Sequence, residues 1–277
     1  MMLLRVMRYA EVQARTRARL GALPRPDQWH YISQAADLDN LIERMRANGL
    51  AYWLAELTRD PGPRAIQVHL NGRIRRFVAH YAVLLPAQWR AAVQWLELLP
   101  DLTPARLVLR DPQPDVALDV DSPLREVLTM ALDQRAARLR ASGNGLLVDA
   151  VRADTPWLDG FLNALAALRG HERRELRRLQ RIVFAHVNTI AALRDTVRRA
   201  ETDESGASVP PGPHAQWRAR EELLVNLHRW LGAADPFHGS FILGYGLIEA
   251  LQFERLRAML LAYARRWGPE ARIWEAR

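Results

Sequence analysis

Apolar side chains recur every three to four residues along most of this chain, a spacing typical of amphipathic helices. The clearest stripe lies in a long helix predicted over residues 171–199 and consists of Leu176, Leu179, Val183, Val187 and Ile190. Convincing alternation of apolar and polar residues, which marks a strand, is missing, and the best candidate, residues 105–109, is isolated. The sequence therefore predicts an all-α fold with no significant sheet.

Composition indicates a folded chain and removes several kinds of chemistry. Of the 277 residues, 49% are hydrophobic and 25% are charged, which supplies enough apolar material for a core. Cysteine is absent, so disulfides, thiolate metal ligands and a cysteine nucleophile are excluded. Lysine is absent as well, which excludes the phosphate-binding loop that depends on a lysine.

All 39 basic residues are arginines, and their excess over 31 acidic residues gives a net charge of +8. Such a balance suggests nucleic acid or an anionic membrane as a partner. Arginines and acids are interspersed, however, as in Glu-Arg-Arg-Glu at residues 172–175, which favours a solvated helix face. The basic runs at residues 15–19 and 173–178 have both interpretations, a surface for phosphate or lipid headgroups or the solvated side of a helix.

Breaks in the helical pattern divide the chain into regions. We predict an N-terminal helical subdomain over residues 1–57, a middle helical region over 64–200, a flexible linker over 201–213, and a C-terminal helical region over 214–277 that packs with the first. The linker is rich in Gly, Ser and Pro and has no apolar periodicity. Within the middle region, the Pro- and Asp-rich residues 111–123 predict a loop.

Glycines mark two predicted helix ends. Asp37 predicts the start of a helix that ends at Asn48-Gly49. Gly-Asn-Gly at residues 143–145 lacks the preceding strand and third glycine of a dinucleotide-binding turn, and it predicts a helix end instead. Gly72 lies inside another predicted helix and weakens it.

No arrangement of residues in the sequence resembles a catalytic, cofactor or metal site. None of the eight histidines has a second histidine at helical spacing, so no zinc motif forms. Asp119 and Asp121 could pair as carboxylates, but their Pro-rich loop supplies no third ligand, and we predict that both are solvated turn residues. The sequence thus predicts no catalytic residue, no cofactor and no metal.

Hydrophobic runs in the sequence are too short to cross a membrane. The longest uncharged stretch near the C-terminus covers residues 236–248, against the ~20 apolar residues that a transmembrane helix needs. Residues 1–8 contain neither the apolar core nor the small-residue cleavage site of a signal peptide. We therefore expect a soluble, cytoplasmic protein.

The first 57 residues contain an ordered series of motifs. A helix rich in Tyr, Ala and Arg covers residues 9–20, Trp29 follows, an Asp-Leu-x-x-Leu helix lies within residues 35–42, and Leu-Ala-Tyr-Trp-Leu occupies residues 50–54. This order resembles the start of the central-stalk socket family of V-type ATPases, called the socket family below.

The last 40 residues look similar to the end of the same family. The matching positions are Pro236-Phe237, Gly244-Tyr245, Glu249, Glu254, Leu256-Arg257, Leu260 and the Gly-Pro-Glu-Ala-Arg-Ile of residues 268–273. The family's last long helix carries a Tyr, acidic residues and an Asn-Leu-Arg, and a segment ending near Pro-Glu-x-Ile follows it. Here Arg255 stands in place of the Asn and the acidic residues are shifted, while the middle region shows no clear match.

The resemblance implies an all-helical funnel of about three related subdomains without catalytic activity or cofactor. Family members lie peripherally on the cytoplasmic face of the membrane, where they couple the central rotor shaft to the ring of proteolipid subunits. Proton or sodium transport by the whole complex would then depend on this protein. The candidate partner-binding residues on the matching segments are Arg15, Arg17, Arg19, Glu249, Glu254 and Arg257.

Two alternatives remain open from the sequence. The first is an arginine-rich helical protein that binds nucleic acid or regulates a partner, although no aromatic stripe for stacking bases accompanies the arginines. The second is a helical enzyme, whose sign would be a deep pocket that holds perturbed carboxylates such as Glu249 and Glu254. Nine tryptophans lie mostly at helix ends or on apolar stripes, so core packing explains most of them, although Trp and Arg also favour protein-binding surfaces.

Overall fold

A computed structural model describes residues 14–58, 61–83, 85, 89–153, 157–166, 173–202, 214–234 and 239–265. All regular secondary structure within these ranges is helical, and the all-α prediction is confirmed. The helices are α1 (residues 14–22), α2 (Pro26–Ser33), α3 (Leu38–Met45), α4 (Ala51–Leu54), α5 (Pro63–Ala82), α6 (Arg90–Glu97), α7 (Leu99–Val108), α8 (Leu132–Ala141), α9 (Gly145–Arg152), α10 (Trp157–Ala166), α11 (Arg173–Thr202), α12 (His214–Ala233) and α13 (Gly239–Ala264). One wider helical turn, Arg46–Leu50, follows α3, and a 3₁₀ turn covers Pro123–Val127. The isolated strand candidate is helical, because α7 continues to Val108.

Glycines end two helices where the sequence predicts that they should. Gly49 adopts a φ of 86° in the wider turn after α3, and Gly143, also at 86°, follows the end of α8. At Gly143 the backbone N–H donates to Arg140 and that of Asn144 donates to Leu139, which satisfies the last carbonyls of α8. Gly72 does not interrupt α5, because that helix runs from Pro63 to Ala82.

The chain divides into two compact units. Unit 1 combines residues 1–37 with residues 169–277, and unit 2 is residues 38–168. The predicted domain boundaries and the funnel of three subdomains stay predictions. Of the predicted linker, residues 203–213 lie outside the described ranges, and residues 201 and 202 belong to α11.

A buried ionic network joins three parts of unit 2. Arg75 on α5 donates through Nη2 to Asp101 Oδ2 at 2.6 Å and through Nε to Asp119 Oδ1 at 3.0 Å. The hydroxyl of Ser122 donates to the other oxygen of Asp101 at 2.6 Å. Burial raises the pKa of Asp101, and the Arg75 guanidinium and the Ser122 hydroxyl oppose that rise. The prediction that Asp119 is solvated is wrong, because Arg75 reaches it and it is 3% exposed, whereas Asp121 is exposed as predicted.

Arg135 on α8 ties the segment after α7 to unit 2. Its side chain is 2% exposed, and all five of its N–H donors have a carbonyl acceptor. The acceptors are the backbone oxygens of Val108, Asp111, Pro112, Leu128 and Met130. Because Val108 is the last residue of α7, the charge also lies at the negative end of that helix dipole.

Two glycines in unit 2 give a paired test of its packing. A Cβ built on Gly160 of α10 would lie 2.3 Å from ring atoms of Trp95 on α6, whereas one on Gly72 would have no neighbour within 4 Å. We expect Gly160→Ala to lower the free energy of unfolding by about 1–3 kcal/mol through overpacking. We expect Gly72→Ala to raise it by about 0.5–1 kcal/mol, because alanine favours the helix. Urea denaturation compares the two variants, and equal effects would contradict the packing of α10 on α6.

Candidate functional site

The two parts of the chain that carry the family resemblance meet in unit 1 around a buried carboxylate. Glu249 on α13 is fully buried. Arg19 on α1 donates to both of its oxygens, and the hydroxyl of Tyr245 donates to Oε1 at 2.8 Å. Tyr245 and Glu249 are four residues apart, so they lie on one face of α13. A buried charge requires such partners, and the ion pair therefore fixes α1 against α13.

A second group of contacts joins α2, α12 and α13. The indole N–H of Trp29 donates to Oε1 of Gln252 at 2.8 Å, and both side chains are almost fully buried. The Arg255 guanidinium lies 4.7 Å from the centre of the Trp29 ring and donates to Oε1 of Glu221 at 2.9 Å. Burial lowers the pKa of Arg255, and Glu221 opposes this effect. Arg255 thus stacks on α2 while it pairs with α12.

The C-terminal part of α13 contacts the end of α2 through a third residue. The hydroxyl of Tyr263 lies 2.9 Å from the backbone oxygen of Ser33 and 3.0 Å from that of Ala35. These carbonyls follow the last turn of α2, where no intrahelical donor is available. Tyr263 therefore supplies the missing donor and extends the contact along α13.

The six candidate partner-binding residues have different surroundings in unit 1. Arg15 and Arg17 on α1 are exposed, whereas Arg19 and Glu249 pair with each other. Glu254 lies 3.7 Å from Nη1 of Arg220. Burial lowers the pKa of Arg257, and the charge of Glu254 opposes this effect. The structure thus gives Arg19, Glu249, Glu254 and Arg257 interactions inside unit 1.

Some of the motif positions that carry the resemblance lie outside the described ranges. They are residues 9–13 at the start of the chain, and residues 236–237 and 268–273 near its end. The contacts above therefore come from the remaining motif positions on α1, α2 and α13 and from their immediate neighbours.

A cavity of about 640 Å³ lies in unit 1 beside these contacts. Its apolar wall consists of Leu20, Gly21, Leu23, Pro24, Trp29, Leu224, Val225, Leu231, Gly232 and Phe241. Its polar lining consists of Arg17, Arg25, Glu221, His228, Gln252 and Arg255. Of the predicted residues only Arg17 lines it, and Glu249 and Glu254 do not.

Sequence reasoning missed most of the polar lining of this cavity. Gln252 carried one usable signal, because it is a polar residue inside the apolar run Ala-Leu-Gln-Phe of residues 250–253. Arg25 and His228 carried none, since each is a single polar residue in a polar context. They become neighbours only when α2, α12 and α13 pack together.

Two histidines of unit 1 are partly or fully buried on their helices. Burial lowers the pKa of His228. Burial also lowers the pKa of His186 to about 4, although a hydrogen bond to the backbone of Ala219 favours the charged form. His186 lies on α11 and Ala219 on α12, so the neutral imidazole is part of the contact between these helices.

Further features concern the described part of the chain only. Within it, no group of three or more His, Asp or Glu side chains could hold a metal ion. No described helix is both long enough and apolar enough to span a membrane. Comparison of the chain with protein-family models, with curated protein sequences and with solved structures finds no match.

Glu249 and Glu254 provide a matched test of the contact between α1 and α13. Glu249→Gln removes a buried negative charge and leaves Arg19 without its counter-ion, so we expect the free energy of unfolding to fall by about 2 kcal/mol. Glu254→Gln removes a longer and partly exposed ion pair, and we expect a loss below about 1 kcal/mol. Chemical denaturation at neutral pH measures both. A larger loss for Glu254→Gln would contradict the assigned contacts.

His186 predicts a loss of stability in acid. Its pKa rises from about 4 in the folded chain to the ordinary value of 6.5 on unfolding, so the unfolded state binds more protons between these two pH values. Stability is therefore complete above pH 6.5 and falls as the pH decreases toward 4. Between pH 7 and pH 5 we expect the wild type to lose about 2 kcal/mol more than His186→Gln. The exposed His80 is the control, and an equal reduction of the pH dependence by His80→Gln would contradict the assignment.

Proposed function

We propose that this chain is a non-catalytic coupling subunit of a V-type rotary ATPase that links the central rotor shaft to the membrane ring of proteolipid subunits. It belongs, in this proposal, to a complex on the cytoplasmic face of the membrane, to which it binds peripherally. The observation that carries the proposal is the set of contacts between the two segments that resemble the socket family. These segments are distant in the sequence and bind one another in unit 1.

The chemistry of these contacts suits a protein that carries load. Glu249, Trp29 and Tyr263 each use a hydrogen bond or ion pair between the first and last parts of the chain. Such bonds are directional, so they resist sliding of α13 along α1 and α2 more than apolar contacts alone would. A coupling subunit requires this resistance, because torque from the shaft would otherwise be lost in internal motion.

Exposed arginines on α1 are the surface that we assign to the partner. Arg15 and Arg17 lie on the helix that Arg19 anchors to α13, so the anchor and the exposed charges belong to one rigid element. An acidic surface on a partner protein would pair with them and be oriented by them. Arg19 and Glu249 contribute to this surface indirectly, since they hold α1 in place.

The positions of the carboxylates favour a coupling subunit over an enzyme. A catalytic pocket would present Glu249 or Glu254 to a substrate, but Arg19, Tyr245 and Arg220 hold these groups and neither lines the cavity. Glu221, which does line it, accepts a hydrogen bond from Arg255.

The test is affinity purification of the tagged protein from membranes of its native host, followed by identification of the co-purified proteins. We expect subunits of the rotary ATPase head, the shaft and the proteolipid ring. Reversal of the exposed charges in Arg15→Glu/Arg17→Glu should reduce their recovery about tenfold, because two attractive contacts become repulsive.

The matched control is Arg90→Glu/Arg110→Glu, which reverses two exposed charges in unit 2. It changes the net charge equally, and we expect normal recovery of the ATPase subunits. Melting temperatures of all variants show whether lost recovery reflects unfolding. Co-purification of nucleic acid without any ATPase protein would overturn the proposal in favour of nucleic-acid binding.

A further inference from the structure

The cavity of unit 1 has the size and lining of a small-molecule site. Its volume of about 640 Å³ falls within the ~300–1,000 Å³ that is common for ligand pockets. Apolar and aromatic side chains form most of its wall, and several of them, including Trp29 and Phe241, are 1% exposed. Six polar residues add the directional groups that orient a ligand.

One polar group in the wall has a fixed orientation and an unused donor. The Trp29 indole can only donate, so the atom of Gln252 that it contacts at 2.8 Å must be the amide oxygen. The amide nitrogen of Gln252 then points away from Trp29, and none of the described residues accepts a hydrogen bond from it. Gln252 is 2% exposed and lines the cavity, so this donor is available to a bound molecule.

The charges around the cavity favour an anion. Arg17, Arg25 and Arg255 line it, against the single carboxylate of Glu221, which Arg255 already engages. Burial lowers the pKa of His228, so this imidazole adds no positive charge at neutral pH. Arg17 and Arg25 are exposed while the aromatic wall is buried, which places the two cations at the opening. No described carboxylate forms a salt bridge with either of them.

We propose that this cavity binds a small monoanion with an apolar body, such as a carboxylate on an aliphatic chain or an aromatic ring. The apolar body packs against the wall around Trp29 and Phe241, the anionic group pairs with Arg17 and Arg25, and Gln252 donates to a polar atom of the ligand. The inference does not depend on the coupling function, because unit 1 carries the site by itself.

The test uses three probes with the same aliphatic chain and different head groups: octanoate, octan-1-ol and octylammonium. Isothermal titration calorimetry with the full-length protein measures each dissociation constant. We expect octanoate to bind in a saturable manner, octan-1-ol to bind about fivefold more weakly, and octylammonium to bind most weakly, because only the carboxylate pairs with the exposed arginines. Higher ionic strength should reduce the difference between octanoate and octan-1-ol.

Variants assign the preference to the two cations. Arg17→Gln/Arg25→Gln should raise the dissociation constant of octanoate about fivefold and leave that of octan-1-ol unchanged. Arg15→Gln/Arg218→Gln removes two exposed charges that do not line the cavity, and it should change neither constant. All four residues are exposed, so the folds of both double variants should persist.

Three results would overturn the proposal. Equal affinity for octanoate and octan-1-ol in the wild type would mean that the cavity is an apolar hole without charge preference. Equal losses in the two double variants would mean that the anion responds to the overall charge of the protein. Failure of octanoate to saturate at millimolar concentration would mean that the cavity is not a ligand site.

Discussion

The organisation of unit 1 depends on how the carboxylate of Glu249 is kept in the protein interior. Residues 240–253 of α13 are buried without a gap, so this helix presents no solvated face over that length on which a polar group could be placed. Glu249 and Gln252 must therefore find partners inside the protein, and those partners, Arg19, Tyr245 and Trp29, fix α1 and α2 against α13. The polar residues of α13 thus determine which helices can pack on it and in which register. An apolar residue at position 249 would preserve the packing area but would no longer select α1.

The exclusive use of arginine makes a second set of connections possible. Arg135 satisfies five backbone carbonyls at once, and Arg75 bridges two buried carboxylates, tasks that the three donors of a lysine point charge perform poorly. Both side chains act as internal cross-links in unit 2. A net charge of +8 therefore overstates the basic surface that is available to an external partner, since part of the arginine content is structural. This weakens the inference from charge to nucleic acid, which rests on the assumption that basic residues lie on the surface.

Local signals predicted the helices well, and distant pairs account for what was missed. Gly49 and Gly143 end helices because a positive φ suits glycine, and this property is visible in the sequence. Asp119 looked like a solvated turn residue because its neighbours are prolines and acids, but Arg75, 44 positions away, carries the charge that buries it. Arg19 and Glu249 are 230 positions apart, and nothing in their local sequence identifies them as a pair. Periodicity reports which face of a helix is apolar, but it does not report which helix covers that face or which polar residues meet there.

Arg17 connects the proposed coupling surface with the proposed ligand cavity. It is exposed on α1 beside Arg15 and it also lines the cavity, so one guanidinium faces both a partner protein and a bound anion. If each binding event uses this charge, the two events are linked, and each must change the affinity of the other by the same factor. The sign of that linkage follows from the geometry of a single side chain. An anion that engages Arg17 neutralises part of the surface that attracts an acidic partner, so the two ligands oppose one another, whereas an anion that orders the start of α2 without engaging Arg17 leaves the partner surface unchanged. The position of the anionic group relative to Arg17 and Arg25 therefore decides whether the cavity is an independent site or a regulator of assembly.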